Sequence, residues 1–261
     1  MRVKVWRRLA AVAVAVFSAS CVMVMNPEDV SESVPNPEFR KTVEFQPGGT
    51  VSLDQSSGDV RISGWDDNSV EIVATAGERA PFLTSTPWNL ETEVEVKRNA
   101  GALRIQTRSA DGPWVSGGLD YSLRVPHSVN LDGIKESRGD IRISDVYGRI
   151  GVDLARGFLT VVNFSGPLRA AVGSGNVDAE LLDIRATDVV DITVGEGDIA
   201  VRIQPGANVE VKAESPRGEI TSEYAFGAPL PARTLSGRLG LGAGRIVLKA
   251  LRGNIKILKT G

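Results

Sequence analysis

Ile150-Gly151-Val152-Asp153-Leu154-Ala155-Arg156-Gly157-Phe158-Leu159-Thr160-Val161 recurs in outline 18 residues later as Leu168-Arg169-Ala170-Ala171-Val172-Gly173-Ser174-Gly175-Asn176-Val177-Asp178-Ala179. Each copy holds three apolar residues at alternate positions, a glycine, and two more apolar residues at alternate positions. Alternation with period two sends the apolar set to one face of a strand and residues such as Arg169, Asp178 and Thr160 to the other. Each copy therefore reads as two short strands joined at a glycine corner, where a side chain would obstruct a positive φ or a close approach.

The same corner extends outward along the chain. It appears as Ser57-Gly58-Asp59-Val60-Arg61-Ile62, Arg138-Gly139-Asp140-Ile141-Arg142-Ile143, Glu196-Gly197-Asp198-Ile199-Ala200-Val201, Arg217-Gly218-Glu219-Ile220 and Arg252-Gly253-Asn254-Ile255-Lys256-Ile257. From Gly139 the glycines step by 18, 18, 22 and 21 residues, the length of a short solenoid turn. Stacked turns cover one another's apolar faces, so successive corners are expected to pile up in order. The expected fold is all-β: a single-stranded parallel β-helix or solenoid with a more irregular, partly antiparallel N-terminal part. In that part Val70-Glu71-Ile72-Val73-Ala74, Val94-Glu95-Val96 and Leu103-Arg104-Ile105 read as an antiparallel meander. A chain of 261 residues with 42% hydrophobic content is long enough to bury a core without a metal or disulfide.

Residues 1–20 read as a lipoprotein-type signal peptide. Arg2, Lys4, Arg7 and Arg8 precede the apolar run Leu9 to Phe17, which leads through Ser18-Ala19-Ser20 to Cys21, the sole cysteine. Cys21 is thus the expected lipid attachment residue, with Ala19 and Ser20 in keeping and Ser18 where a leucine is preferred. The alternatives are cleavage to a soluble protein or an uncleaved anchor through Met25. Residues 21–38, with Pro27, Pro35, Pro37 and several acids and serines, read as a flexible tether, and residues 39–261 as the solenoid domain. The expected location is the bacterial cell envelope, exported and lipid-anchored, on the periplasmic side of a membrane or at the cell surface. Loss of the four N-terminal cations takes the formal charge from −2 to −6. That balance excludes a nucleic-acid partner, which needs clustered Lys and Arg.

Gly58-Asp59-Val60-Arg61-Ile62-Ser63-Gly64-Trp65-Asp66 with Val70-Glu71-Ile72, the later Leu123-Arg124-Val125-Pro126, the Gly-Asp-Ile and Gly-Asn-Val corners and the closing stretch Gly244 to Leu258 resemble a bacterial putative-adhesin family of unknown function. The resemblance spans essentially all of the chain after the signal. It implies a parallel β-solenoid on the export side of the envelope and transfers no catalytic residue.

Chemistry-bearing residues are sparse. His127, the only histidine, follows Pro126 at a strand end, and Ser128 beside it would project differently on an extended chain, so it reads as a structural residue. Asp59, Asp140, Asp198 and Glu219, with Asn176 and Asn254, share the position after the glycine. Stacked, they could form an oxygen ladder for calcium, but Phe158 interrupts the column and local turn hydrogen bonds explain these residues, so no metal and no cofactor are expected. Arg138, Arg156, Arg217 and Arg252 precede their glycines as a broken basic edge able to meet anionic envelope polymers, or simply solvent. Trp88 and Trp114 lie in two interrupting segments, where an indole caps a solenoid end or contacts a sugar or protein. Glu91, Glu93 and Glu95 read as a solvated strand face. Gly240 to Gly244 lacks the spacing of a dinucleotide loop. The resulting expectation is a non-enzymatic, adhesin-like interaction or scaffold module, joined to a membrane by its N-terminal lipid and meeting an envelope protein or glycan. The alternatives are a carbohydrate-active β-helix enzyme and an accessory protein in envelope-stress sensing.

Overall fold

The computed structural model describes residues 30–34, 38–76, 92–109, 118–227 and 229–260. Cys21, Trp88, Trp114, Glu91 and the signal run lie outside them, as do the side chains of Thr92 and Glu93.

The described residues form twenty-one strands. The N-terminal part holds β1 (Val30–Val34), β2 (Glu38–Glu44), β3 (Thr50–Gln55), β4 (Val60–Trp65), β5 (Ser69–Ala76), β6 (Thr92–Asn99), β7 (Ala102–Ser109) and β8 (Leu119–Pro126). The regular turns hold β9 (Asn130–Glu136), β10 (Ile141–Ser144), β11 (Ile150–Arg156), β12 (Leu159–Ser165), β13 (Leu168–Ser174), β14 (Val177–Asp183), β15 (Val189–Glu196) and β16 (Ile199–Ile203). β17 (Val209–Glu214), β18 (Ile220–Ser222), β19 (Thr234–Leu239), β20 (Gly244–Arg252) and β21 (Ile255–Lys259) complete the chain.

The strands form two sheets. The first runs β1-β6-β7-β3-β9-β11-β13-β15-β20-β17-β19 and the second β2-β5-β8-β4-β10-β12-β14-β16-β21-β18. A rung is one strand of each sheet joined at the corner, and parallel pairing stacks the rungs. Alternation does the rest. In the second sheet Val60, Ile141, Leu159, Val177, Ile199, Ile255 and Ile220 form one inward row in unbroken register. All are nearly fully buried. Each such aliphatic side chain contributes about 1.5–3 kcal/mol through burial, so the rows between the sheets hold the fold together.

The expected solenoid is present, with two departures. Rungs do not stack in chain order at either end. The β7/β8 rung lies outside β3/β4, so that β9/β10 pairs with β3/β4 across the other side. At the far end the last rung in sequence, β20/β21, sits between β15/β16 and β17/β18 and pairs in parallel with both. Antiparallel strands close the stack: β6 and β1 on one sheet and β5 and β2 on the other at the N-terminal end, as the meander suggested. β19 also closes the C-terminal end of the first sheet, an antiparallel element beyond the N-terminal part. The segment from Glu223 folds back as a cover there, with Tyr224 and Phe226 packed on the core and the Tyr224 hydroxyl donating to the Ile203 carbonyl at 2.6 Å.

Candidate functional site

The glycine corners superimpose into one column: Gly58, Gly139, Gly157, Gly175, Gly197, Gly253 and Gly218. Gly157, at φ +145°, shows why no other residue fits, since a Cβ there would lie 1.8 Å from the Gly139 carbonyl oxygen. The residue after each glycine then reaches its neighbour. The Asp59 N–H donates to Asp120 Oδ1 at 2.8 Å, Asp140 N–H to Asp59 Oδ1 at 3.0 Å, and Phe158 N–H to Asp140 Oδ1 at 3.0 Å. Beyond Phe158 the ladder resumes, with Asp198 N–H on Asn176 Oδ1 at 2.8 Å, Asn254 N–H on Asp198 Oδ1 at 2.6 Å and Glu219 N–H on Asn254 Oδ1 at 3.0 Å. These bonds run between rungs and are not the local turn bonds expected from sequence. One side-chain oxygen each of Asp59, Asp140, Asn176, Asp198 and Asn254 is thereby engaged by a backbone amide. Among the described residues no three His, Cys, Asp or Glu side chains come together to hold a metal ion.

The residue before each glycine forms a parallel column. Arg156 stands beside Ser174, Ser174 beside Glu196 and Glu196 beside Arg252. Arg252 donates to the Glu196 carboxylate and is neutralised by it. The basic edge is thus divided into Arg138 with Arg156, and Arg252 with Arg217 one rung beyond it, all four exposed.

An open trough of about 590 Å³ runs beside this edge on the outer face of the first sheet. Ala155, Ala171, Gly173 and Gly195 line it and leave its floor low, Asp54, Lys135 and Asp153 line one end, and Leu251 lines the other. The row Asp54, Lys135, Asp153, Ala171, Thr193 follows from the pairing register. At the trough's acidic end sit two buried polar residues on adjacent rungs, Gln55 and Glu136. Glu136 Oε1 accepts the Arg138 N–H at 2.9 Å, whereas Glu136 Oε2 and Gln55 Oε1 have no partner. Burial pushes the Glu136 carboxyl up to about 7, against the lowering by the Arg138 N–H and the Gln55 amide. Close by, Tyr121 is buried and shares a 2.7 Å hydrogen bond with Thr107, and burial pushes its hydroxyl up to about 12.

His127 occupies the opposite corner, at the end of β8 as expected. Its Nδ1 lies 2.6 Å from the Asp145 carbonyl oxygen, its Nε2 3.4 Å from the Asp66 carboxylate, and its ring stacks on Tyr147 at 5.1 Å. Gly64 lies between them, and a Cβ there would fall 1.9 Å from the Asp145 oxygen and 2.4 Å from Nδ1. The imidazole therefore clamps rungs together across a gap that only glycine leaves. Glu95 is bound by Lys97 at 2.6 Å and Arg108 at 3.0 Å, and the Lys97 bond leads in holding its carboxyl below the usual range.

Sequence reasoning missed a second basic group. Arg61 and Arg142 stand directly opposite one another on the outer face of the second sheet. The signal was present in the near-identical hexapeptides at 58–63 and 139–144, but their 81-residue separation hid that they are neighbours.

Among curated proteins none matches the sequence. Among solved structures, a putative cell adhesion protein from Clostridium sporogenes is similar at 20% identity and a TM-score of 0.52, over 86% of this chain and 100% of that one. A putative adhesin from Bacteroides fragilis is similar at 9% identity and a TM-score of 0.42, over 85% and 97% of the two chains. The first likeness supports the fold alone. The family model described as Toastrack DUF4097 matches residues 48–257, which cover every glycine corner, and the chain belongs to that family.

Proposed function

We propose that the protein is a non-enzymatic, adhesin-like interaction or scaffold module of the cell envelope, held to a membrane by lipid on Cys21. The observation that carries this reading is the wall itself. Parallel register places the outward side chains of eight rungs in straight rows, so the molecule offers a rigid grid to a surface, polymer or protein over many individually weak contacts. The first sheet offers the trough with the arginine edge beside it, a shape suited to an extended glycan or peptide strand lying across the rungs.

Crosslinking of the full chain in intact cells tests the reading, with an envelope protein or glycan as the expected capture. Turnover of uronic-acid polymers or peptidoglycan that a single Asp substitution abolishes would overturn it. Attachment is checked with labelled fatty acid: the wild type takes up label and Cys21→Ala does not, while equal labelling of both refutes lipidation at this residue.

A further inference from the structure

The second sheet carries a grid that the trough does not share. Ser122, Arg61 and Arg142 fall in one outward row, and Arg124, Ser63 and Ser144 in the row two residues on. The Arg61 and Arg142 side chains are exposed on neighbouring rungs, about 4.8 Å apart at the backbone. Neither makes an ion pair among the described residues. The acids flanking the grid are already engaged: Asp59 and Asp140, two residues before the arginines, accept the Asp140 and Phe158 N–H groups at 3.0 Å, Glu71 pairs with Arg40 at 2.9 Å and lies 3.7 Å from Arg124, and Asp178 pairs with Arg202. Arg124 is held over the Trp65 ring at 4.2 Å. Like charges placed directly opposite in a sheet are destabilising. The hexapeptide copies set two guanidiniums against each other where any neutral residue would relieve the repulsion. An oxyanion between them removes the repulsion and meets two planar donor forks, with serine hydroxyls on either side.

We infer that this face binds a repeating polyanion through Arg61 and Arg142, assisted by Arg124, Ser63, Ser122 and Ser144. The surface is a flat sheet face, so a single small ion would gain only the weak attraction of an exposed pair. A chain bearing oxyanions at intervals gains by adding such contacts along the rows. The inference rests on the reading of the protein as an interaction module and names a ligand class for it.

The test uses the full chain with four probes: long-chain polyphosphate, polygalacturonate, orthophosphate and phosphatidylglycerol vesicles. One or both soluble polymers are expected to bind, orthophosphate to bind far more weakly, and added salt to weaken binding. The double variant Arg61→Gln, Arg142→Gln should lose about tenfold or more in affinity. A control with the same charge change, Arg185→Gln with Arg238→Gln, should lose about twofold at most. Without polymer, the melting temperature of the Arg61 and Arg142 variant should be unchanged or higher, which separates lost recognition from lost folding. Equal losses in both variants would reduce the binding to general electrostatics and overturn the site. Failure of both polymers to bind, or binding to vesicles alone, would overturn the ligand class. A protein that still captures an envelope partner in cells after such a failure keeps its role as an interaction module and loses this assignment.

Discussion

Glu136 is buried beside Gln55 on the adjoining rung, and each side chain carries one oxygen without a hydrogen-bond partner. Removal from water penalises the charged carboxylate, so burial favours the neutral form even though the Arg138 N–H and the Gln55 amide favour the charge. The folded value of about 7 lies above the ordinary 4.5, so between those values the native state holds a proton that the unfolded chain has released. The group's stabilisation is therefore full below 4.5 and is lost as pH rises through 7. Chemical denaturation at about pH 5 and about pH 8 should show a loss of up to about 3 kcal/mol, and Glu136→Gln, which cannot ionise, should flatten it. Two glycines offer a second contrast at this scale. Gly157→Ala places a Cβ 1.8 Å from a carbonyl oxygen and should cost about 3 kcal/mol or more by denaturant titration. Gly48→Ala, at φ +80° with nothing within 4 Å, should cost only about 1 kcal/mol. The sequence marked Gly157 as a corner, but the oxygen above it belongs to another rung and was not legible.

Among the elements, the ladder after the glycines joins rungs through side-chain oxygens, and it fails at one position. Phe158 donates its N–H to Asp140 Oδ1 but offers no side-chain oxygen to the next rung, and the residue is 53% exposed. Phe158→Asn should restore the acceptor and raise stability by about 1 kcal/mol in thermal or urea melts. An unchanged or lowered midpoint would mean that the phenyl ring packs more favourably than its exposure indicates. The strands themselves were readable because alternation is a local property: Ile150, Val152 and Leu154, then Leu159 and Val161, point inward in the structure as in the sequence. The arginine edge was readable only in part. Its four members precede their glycines as expected, yet Ser174 and Glu196 stand between them in the column, and the Glu196 carboxylate neutralises Arg252.

Across the whole molecule, the order of rungs departs from the order of the chain, with a consequence for truncation. Ending the chain after residue 243 removes β20 and β21, which stand next to last in the stack and not at its end. Ile192, Val194, Ile199 and Val201 would lose the rung that covers them, and β17/β18 would lose its parallel neighbour. The expected result is loss of the cooperative melt and of protease resistance; a truncated chain that melts like the parent short of one rung would refute the insertion of β20/β21. The amino-acid sequence by itself determined that this protein is built of two-strand rungs with glycine corners and an apolar interior, because alternation and positive-φ glycines act within a few residues. Only the tertiary structure decided which rungs touch. The corners are nearly interchangeable, so a rung's neighbour depends on where the connecting segments cross and on how the antiparallel ends close. That choice set Arg61 against Arg142 and Gln55 against Glu136, since each pair is joined by packing across some 80 residues of chain.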